Sequence, residues 1–167
     1  MAETLTSDLP QEVEDAVSRL LTRACELELR LATAESCTGG LVASLLTDVT
    51  GCSHAFERGF VTYTEEAKTE MLGVPSVLLE GHGAVSEPVA RAMAEGALAR
   101  SAADIAFAVT GFAGPTKSGE EGLVHFACAR EGRPTLHREV HFGALGRGAV
   151  RLECLRVAVE MMEEMLG

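Results

Sequence analysis

The stretch Leu29-Arg30-Leu31-Ala32-Thr33-Ala34-Glu35-Ser36-Cys37-Thr38-Gly39-Gly40-Leu41-Val42-Ala43-Ser44-Leu45-Leu46 decides the fold. Its first part is an apolar run of strand length, about residues 28–34. Two glycines follow, and then apolar residues at helical spacing from Gly39 to about Val49. Strand, tight glycine turn and helix are therefore expected in succession. Such a junction gathers unpaired backbone N–H groups and the positive end of a helix dipole. A hydroxyl (Ser36) and a thiol (Cys37) sit beside them, so the turn can hold an anion or an oxyanion next to a nucleophile.

Working outward, residues 1–9 are polar and read as a flexible N-terminus, with one domain over residues 10–167. Val13, Val17, Leu20, Leu21 and Ala24 recur at three- and four-residue steps, predicting a helix from Pro10 to Leu27. Phe56–Tyr63 reads as a second strand. Thr64 caps a helix that ends near Gly73-Val74-Pro75, and a short helix spans about 76–80. Ser86-Glu87-Pro88 opens a longer one, running to about Ala102. The continuous apolar run after Asp104, to Val109, predicts a buried central strand. The glycine loop Thr110-Gly111-Phe112-Ala113-Gly114-Pro115 comes next. Strands at about 122–130 and 135–142, joined at Glu131-Gly132-Arg133-Pro134, lead to a final helix over 147–166. That helix places Val150, Cys154, Val157, Met161 and Met165 on one face. The order predicts an α/β fold, a three-layer α/β/α sandwich around a mixed sheet in a single domain.

Composition narrows the function classes. The chain has 167 residues and a net charge of −11, which argues against a nucleic-acid partner. A few local arginines would still suffice for an anionic small molecule. Five scattered cysteines without a CxxC pair argue against a disulfide framework or structural zinc, and favour reduced thiols in the cytoplasm. No run approaches the roughly 18 apolar residues of a membrane span. His82, His125, His137 and His141 lack metal-ligand spacing, so no metal is expected. Apolar surface on the first or last helix could support a homo-oligomer, a dimer being the simplest.

Several residues carry candidate chemistry. Ser36 suits a helix cap or a nucleophile, and Gly39 and Gly40 would let a substrate approach the backbone. Cys37 is a rival nucleophile or a core residue, and alternation lets only one of the two face the site. Lys68 lies five residues after the only tyrosine, Tyr63. It is either a solvated charge or, if desolvated, a general base. Thr110 and Gly111 follow the central strand, where open α/β sheets collect ligands. Arg147 and Arg151 stand at a helix start, where cations oppose the dipole and an anion would compensate them.

With these residues in hand, the chain resembles the C-terminal domain of the CinA competence/damage-inducible family. The resemblance rests on Ala34–Gly40, on Tyr63 with Glu66-Ala67-Lys68 and Leu72-Gly73-Val74, and on His82-Gly83-Ala84-Val85-Ser86. Residues 89–94 and 108–115 continue it, and it covers about residues 10–165. It implies hydrolysis of the carboxamide of nicotinamide mononucleotide to nicotinic acid mononucleotide and ammonia, with no cofactor. In that scheme Ser36 is the nucleophile, Lys68 its partner base and Tyr63 an assistant. Thr38, Gly39, Gly40, Thr110, Gly111, Gly114 and Arg147 bind substrate. The chain departs from the family pattern in a shorter loop, Thr116–Glu121, and in Leu145-Gly146-Arg147. A nucleotide-binding module without turnover is the alternative, and a cysteine hydrolase using Cys37 a third reading.

Overall fold

A computed structural model describes residues 9–167, so the expectation of a flexible segment over residues 1–9 falls almost wholly outside the described residues. The element order is α1 (Gln11–Glu26), β1 (Leu31–Glu35), α2 (Leu41–Leu45), β2 (Phe56–Val61), α3 (Glu65–Leu72), α4 (Ser76–His82), α5 (Glu87–Ala99), β3 (Ile105–Gly111), β4 (Leu123–Arg130), β5 (Leu136–His141) and α6 (Arg147–Leu166). The strands form one sheet in the order β2-β1-β3-β4-β5. β2, β1 and β3 run parallel, while β4 and β5 are antiparallel to their neighbours. The expected mixed sheet in an α/β/α sandwich is what forms.

Side-chain size along the strands explains the two helix layers. Leu31, Ile105, Phe107, Val109, Val124 and Phe126 point to one face and pack with α1 and α6. The alternate positions Ala32, Ala34, Ala106, Ala108, Ala127 and Ala129 point to the other face and pack with α5. Alanine on that face lets α5 lie close to the sheet, and α5 is itself built of small residues there. Gly96 of α5 is needed because a Cβ would stand 2.0 Å from the Leu72 carbonyl oxygen at the end of α3.

Boundaries shift from the expected ones where backbone geometry intervenes. α2 has five residues, not the eleven expected from Gly39 to Val49: it starts later because Gly39 (φ 59°) and Gly40 (φ 103°) adopt left-handed conformations that a helix excludes, and it ends at Leu45. β3 extends to Gly111, so Thr110 is a strand residue and not part of a loop. α5 stops at Ala99, short of Ala102, and β2 ends at Val61, short of Tyr63. α6 spans the expected residues, with Val150, Cys154, Met161 and Met165 buried.

The connections fix where a ligand can sit. β1 leads to β2 on one side, and the chain then returns across β1 to β3 on the other. The loops after β1 and β3 therefore diverge, leaving a crevice at the carboxyl ends of these two strands. Ser36 follows β1 directly, and Thr110 and Gly111 end β3.

Candidate active site

The turn after β1 is organised by a residue whose role sequence reasoning missed. Glu35 is fully buried. Its Oε1 accepts from Thr38 Oγ1 (2.6 Å) and the Val42 amide (2.9 Å). Its Oε2 accepts from the Ala43 amide (3.0 Å) and, at 3.5 Å, from Thr33 Oγ1. The N-terminal amides of α2 are thus satisfied by the protein's own carboxylate, which also lies at the positive end of that helix's dipole. This corrects the expectation that the turn offers these groups to a bound anion. The missed signal was an acidic residue closing an otherwise apolar strand immediately before a glycine turn.

Thr38, Gly39 and Gly40 do not border the cavity over Ser36. Thr38 is 1% exposed and spends its hydroxyl on Glu35. Gly39 and Gly40 provide the positive φ angles of the turn and lie outside the cavity lining. Their function is to turn the chain. A second clamp acts from α6, where Arg151 Nε donates to the Cys37 carbonyl at 3.0 Å. Arg151 is therefore tied to the turn, and of the two arginines it is Arg147 that borders the cavity over Ser36.

On the opposite side of the turn Ser36 meets Lys68. Lys68 Nζ lies 2.9 Å from Ser36 Oγ, 2.7 Å from the Thr62 carbonyl oxygen and 3.5 Å from that of Tyr63. Thr64 caps α3 by accepting the Ala67 amide, and this places Lys68 in the helix's first turns, facing the sheet. The lysine is 1% exposed. Burial pushes its pKa below the ordinary value of 10.5, against weaker attraction from Cys37 and Glu65. Desolvating an ammonium costs several kcal/mol even after relaxation, while each hydrogen bond returns about 1–3 kcal/mol. A neutral amine would satisfy the same geometry, with two protons toward the carbonyl oxygens and its lone pair toward the Ser36 hydroxyl. The structure therefore brings together a hydroxyl and a desolvated amine, the arrangement of a nucleophile and its base.

A cavity of about 300 Å³ opens over this pair. Ser36, Tyr63, Lys68, Thr110, Gly111, Gly114 and Arg147 all border it, so seven of the expected residues converge. Tyr63 is 68% exposed, at the mouth. Thr110 is buried and donates to the Ala84 carbonyl oxygen at 2.8 Å. That bond ties the segment before α5 to the end of β3 and makes Ala84 and Val85 part of the wall; both lie in a stretch that carries the family resemblance, but neither was expected as a site residue. Gly114 lies against Arg147: a Cβ there would stand 2.8 Å from the guanidinium and push that exposed side chain aside. Arg147 is exposed and has no ion-pair or hydrogen-bond partner among the described residues. Thr116, in the short loop, completes one rim.

Cys37 also borders the cavity, but its side chain is 4% exposed and belongs to the core cluster that includes Cys154 of α6. A hydrogen bond with the Cys154 thiol lowers its pKa, burial opposes this, and Arg151 assists. The alternation expected of residues 36 and 37 thus turns the hydroxyl toward Lys68 and the thiol into the core. The four histidines weighed as metal ligands lie elsewhere. His125 and His137 pair at 3.0 Å, His141 contacts Glu120 and Glu139, and His82 is exposed. Among the described residues no cluster of three or more His, Cys, Asp or Glu could hold a metal. No described helix is long and apolar enough to cross a membrane.

Comparison with known proteins gives a consistent picture. A model of the CinA C-terminal domain matches residues 11–166. A CinA-like protein of Syntrophus aciditrophicus is 48% identical over 160 residues, covering 94% of this chain and 37% of that protein. The chain thus spans about a third of the length of the curated relatives it matches. The crystal structure of a competence/damage inducible protein from Agrobacterium tumefaciens is 44% identical, with a TM-score of 0.93, covering 97% of this chain and all of that one. A CinA superfamily protein of Escherichia coli is 36% identical, with a TM-score of 0.86 over 99% of this chain and 95% of its own.

Proposed function

The chain belongs to the CinA C-terminal domain family, and from that premise and the site's chemistry we propose that it is an amidohydrolase acting on the carboxamide of nicotinamide mononucleotide. The observation that carries this reading is the buried Lys68 amine 2.9 Å from Ser36 Oγ on the wall of a cavity. A neutral amine in contact with a hydroxyl is suited to one task, removal of the proton as the oxygen attacks an electrophilic carbon.

In the proposed reaction Ser36 Oγ attacks the carboxamide carbon while Lys68 Nζ takes its proton. The tetrahedral intermediate carries its negative charge on the former carbonyl oxygen. Parallel pairing sends the Ser36 amide to the Val109 carbonyl at 3.1 Å, so the next amide on that edge of β3, Gly111 N–H, faces the side where β1 has turned away. Gly111 N–H is the proposed oxyanion donor. Lys68 returns its proton to the departing nitrogen, ammonia leaves, and an ester to Ser36 remains. Water, deprotonated by Lys68, cleaves this ester to nicotinic acid mononucleotide and restores the Ser36 hydroxyl.

Arg147, unpartnered at the rim, is assigned the phosphate, for which a planar guanidinium is well matched. Tyr63 at the mouth covers the pyridine ring. Incubating the protein with nicotinamide mononucleotide and following ammonia and nicotinic acid mononucleotide together tests the reading. Equal amounts of the two products are expected. Binding of the nucleotide with no ammonia would reject the amidase and leave a nucleotide-binding module.

A further inference from the structure

We infer that Glu35 is a positioning residue for the nucleophile, acting through the four hydrogen bonds its carboxylate accepts beneath the turn. The inference rests on the reading of Ser36 as nucleophile. β1 alternates its side chains, so Glu35 projects to the α1/α6 side of the sheet and Ser36 to the Lys68 side. The two are adjacent in the chain but work from opposite faces.

The main chain at this point is held on both edges. The Thr62 amide donates to the Glu35 carbonyl at 2.8 Å, and the Ser36 amide donates to the Val109 carbonyl at 3.1 Å. Beyond Ser36 the chain leaves the sheet, and from Cys37 to Gly40 it is ordered by contacts within the turn and by Arg151, which holds the Cys37 carbonyl from α6. Glu35 ties that turn together, joining Thr38 in its middle and the Val42 and Ala43 amides beyond it to Thr33 on the strand. Both carboxylate oxygens accept two hydrogen bonds each, which uses the acceptor capacity of the group.

A carboxylate is required there for a chemical reason. All four partners are donors. Glutamine has the same shape but would present its NH2 group to one of the two backbone amides, Val42 or Ala43, placing donor against donor in a site without water access. The turn would have to rearrange, and the Ser36 Oγ position would move relative to Lys68 Nζ. A hydroxyl displaced by about 1 Å from its base loses roughly 100-fold in rate without any change in the residues that touch substrate.

The test reads Ser36 reactivity directly, independent of the natural substrate. The protein is treated with a fluorophosphonate, and phosphonylation of Ser36 is followed by intact mass, in the wild type and in Glu35→Gln, Thr38→Val and Thr38→Ser. Rates are expressed per folded molecule, from circular dichroism and the thermal midpoint. Glu35→Gln is expected to label at least tenfold more slowly. Thr38→Val, which keeps the shape and removes only the 2.6 Å bond, should slow labelling about three- to tenfold. Thr38→Ser, which keeps the hydroxyl, should return to within twofold of the wild type.

A purely architectural role would lower the midpoint and leave the rate per folded molecule unchanged, and that result overturns the inference. So does Thr38→Val labelling at the wild-type rate, even if Glu35→Gln fails to fold. A wild type that labels but releases no ammonia from nicotinamide mononucleotide refutes the proposed substrate while leaving the positioning of Ser36 supported. A wild type that does not label at Ser36 refutes both.

Discussion

The two ends of the sheet carry cavities of very different size, and the smaller one holds the proposed chemistry. At the ends of β3 and β4 away from Ser36, a cleft of about 790 Å³ is lined by Leu29, Leu98, Asp104, Arg130 and Arg133, among others. Several of its polar groups are spent on the fold. Arg130 Nη1 donates to the Met165 carbonyl at 2.6 Å, Arg133 Nη1 to the same oxygen at 3.1 Å, and Asp104 accepts the Arg30 amide at 2.7 Å. At the other end, the cavity of about 300 Å³ contains a lysine buried against a serine hydroxyl and an arginine without a partner. Volume reflects where the helices diverge. Reactivity requires groups whose hydrogen-bonding or charge is left for a ligand.

This contrast can be broken by substitution at each end. The largest effect is expected for Ser36→Ala and Lys68→Met, each of which should lower ammonia release from nicotinamide mononucleotide by about 1,000-fold or more, in steady-state assays. Next comes Arg147→Ala. It should raise KM for the mononucleotide roughly 10- to 100-fold with little change in kcat, and leave the unphosphorylated riboside nearly unaffected. The smallest effect on rate belongs to the far end. Arg130→Ala should leave kcat/KM within about twofold while lowering the thermal midpoint by roughly 2–4 °C per kcal/mol lost, since the carbonyls at the end of α6 lose a charged donor. An Arg130→Ala variant with impaired turnover would erase the distinction between the two ends.

Lys68 adds a pH dependence of defined sign. Its pKa is lower in the folded protein than the ordinary 10.5, so the unfolded chain binds more protons between the two values. Stability should therefore rise with pH across the window from the folded pKa to 10.5, and Lys68→Met should flatten that slope in denaturant titrations at several pH values.

Much of this architecture is legible in the sequence because local patterns and tertiary packing agree. The apolar run after Asp104 becomes the central strand, and Ser36 and Lys68 each lie at a recognisable strand-to-helix junction. What was not legible depends on groups brought together from afar. Whether Lys68 is solvated or buried is decided by the Thr62 carbonyl and by β1, neither of which its own helix reveals. That the Thr38 hydroxyl and the first amides of α2 are taken up within the protein is decided by Glu35 folding under the turn, and a strand-end glutamate ordinarily points to water. Ala84 and Val85 enter the wall only through the hydrogen bond from Thr110, which spans 26 residues. The wall they form is a product of the crossover between β2 and β3.

The central claim is that a neutral Lys68 deprotonates Ser36. The pH dependence of kcat/KM for nicotinamide mononucleotide tests it most directly, measured by ammonia release over the range in which the protein stays folded. A rate that climbs with pH and levels off at a midpoint clearly below the ordinary lysine value of 10.5 is the predicted result. A rate that shows no such ionisation, or a profile that Lys68→Met leaves in place, would contradict it.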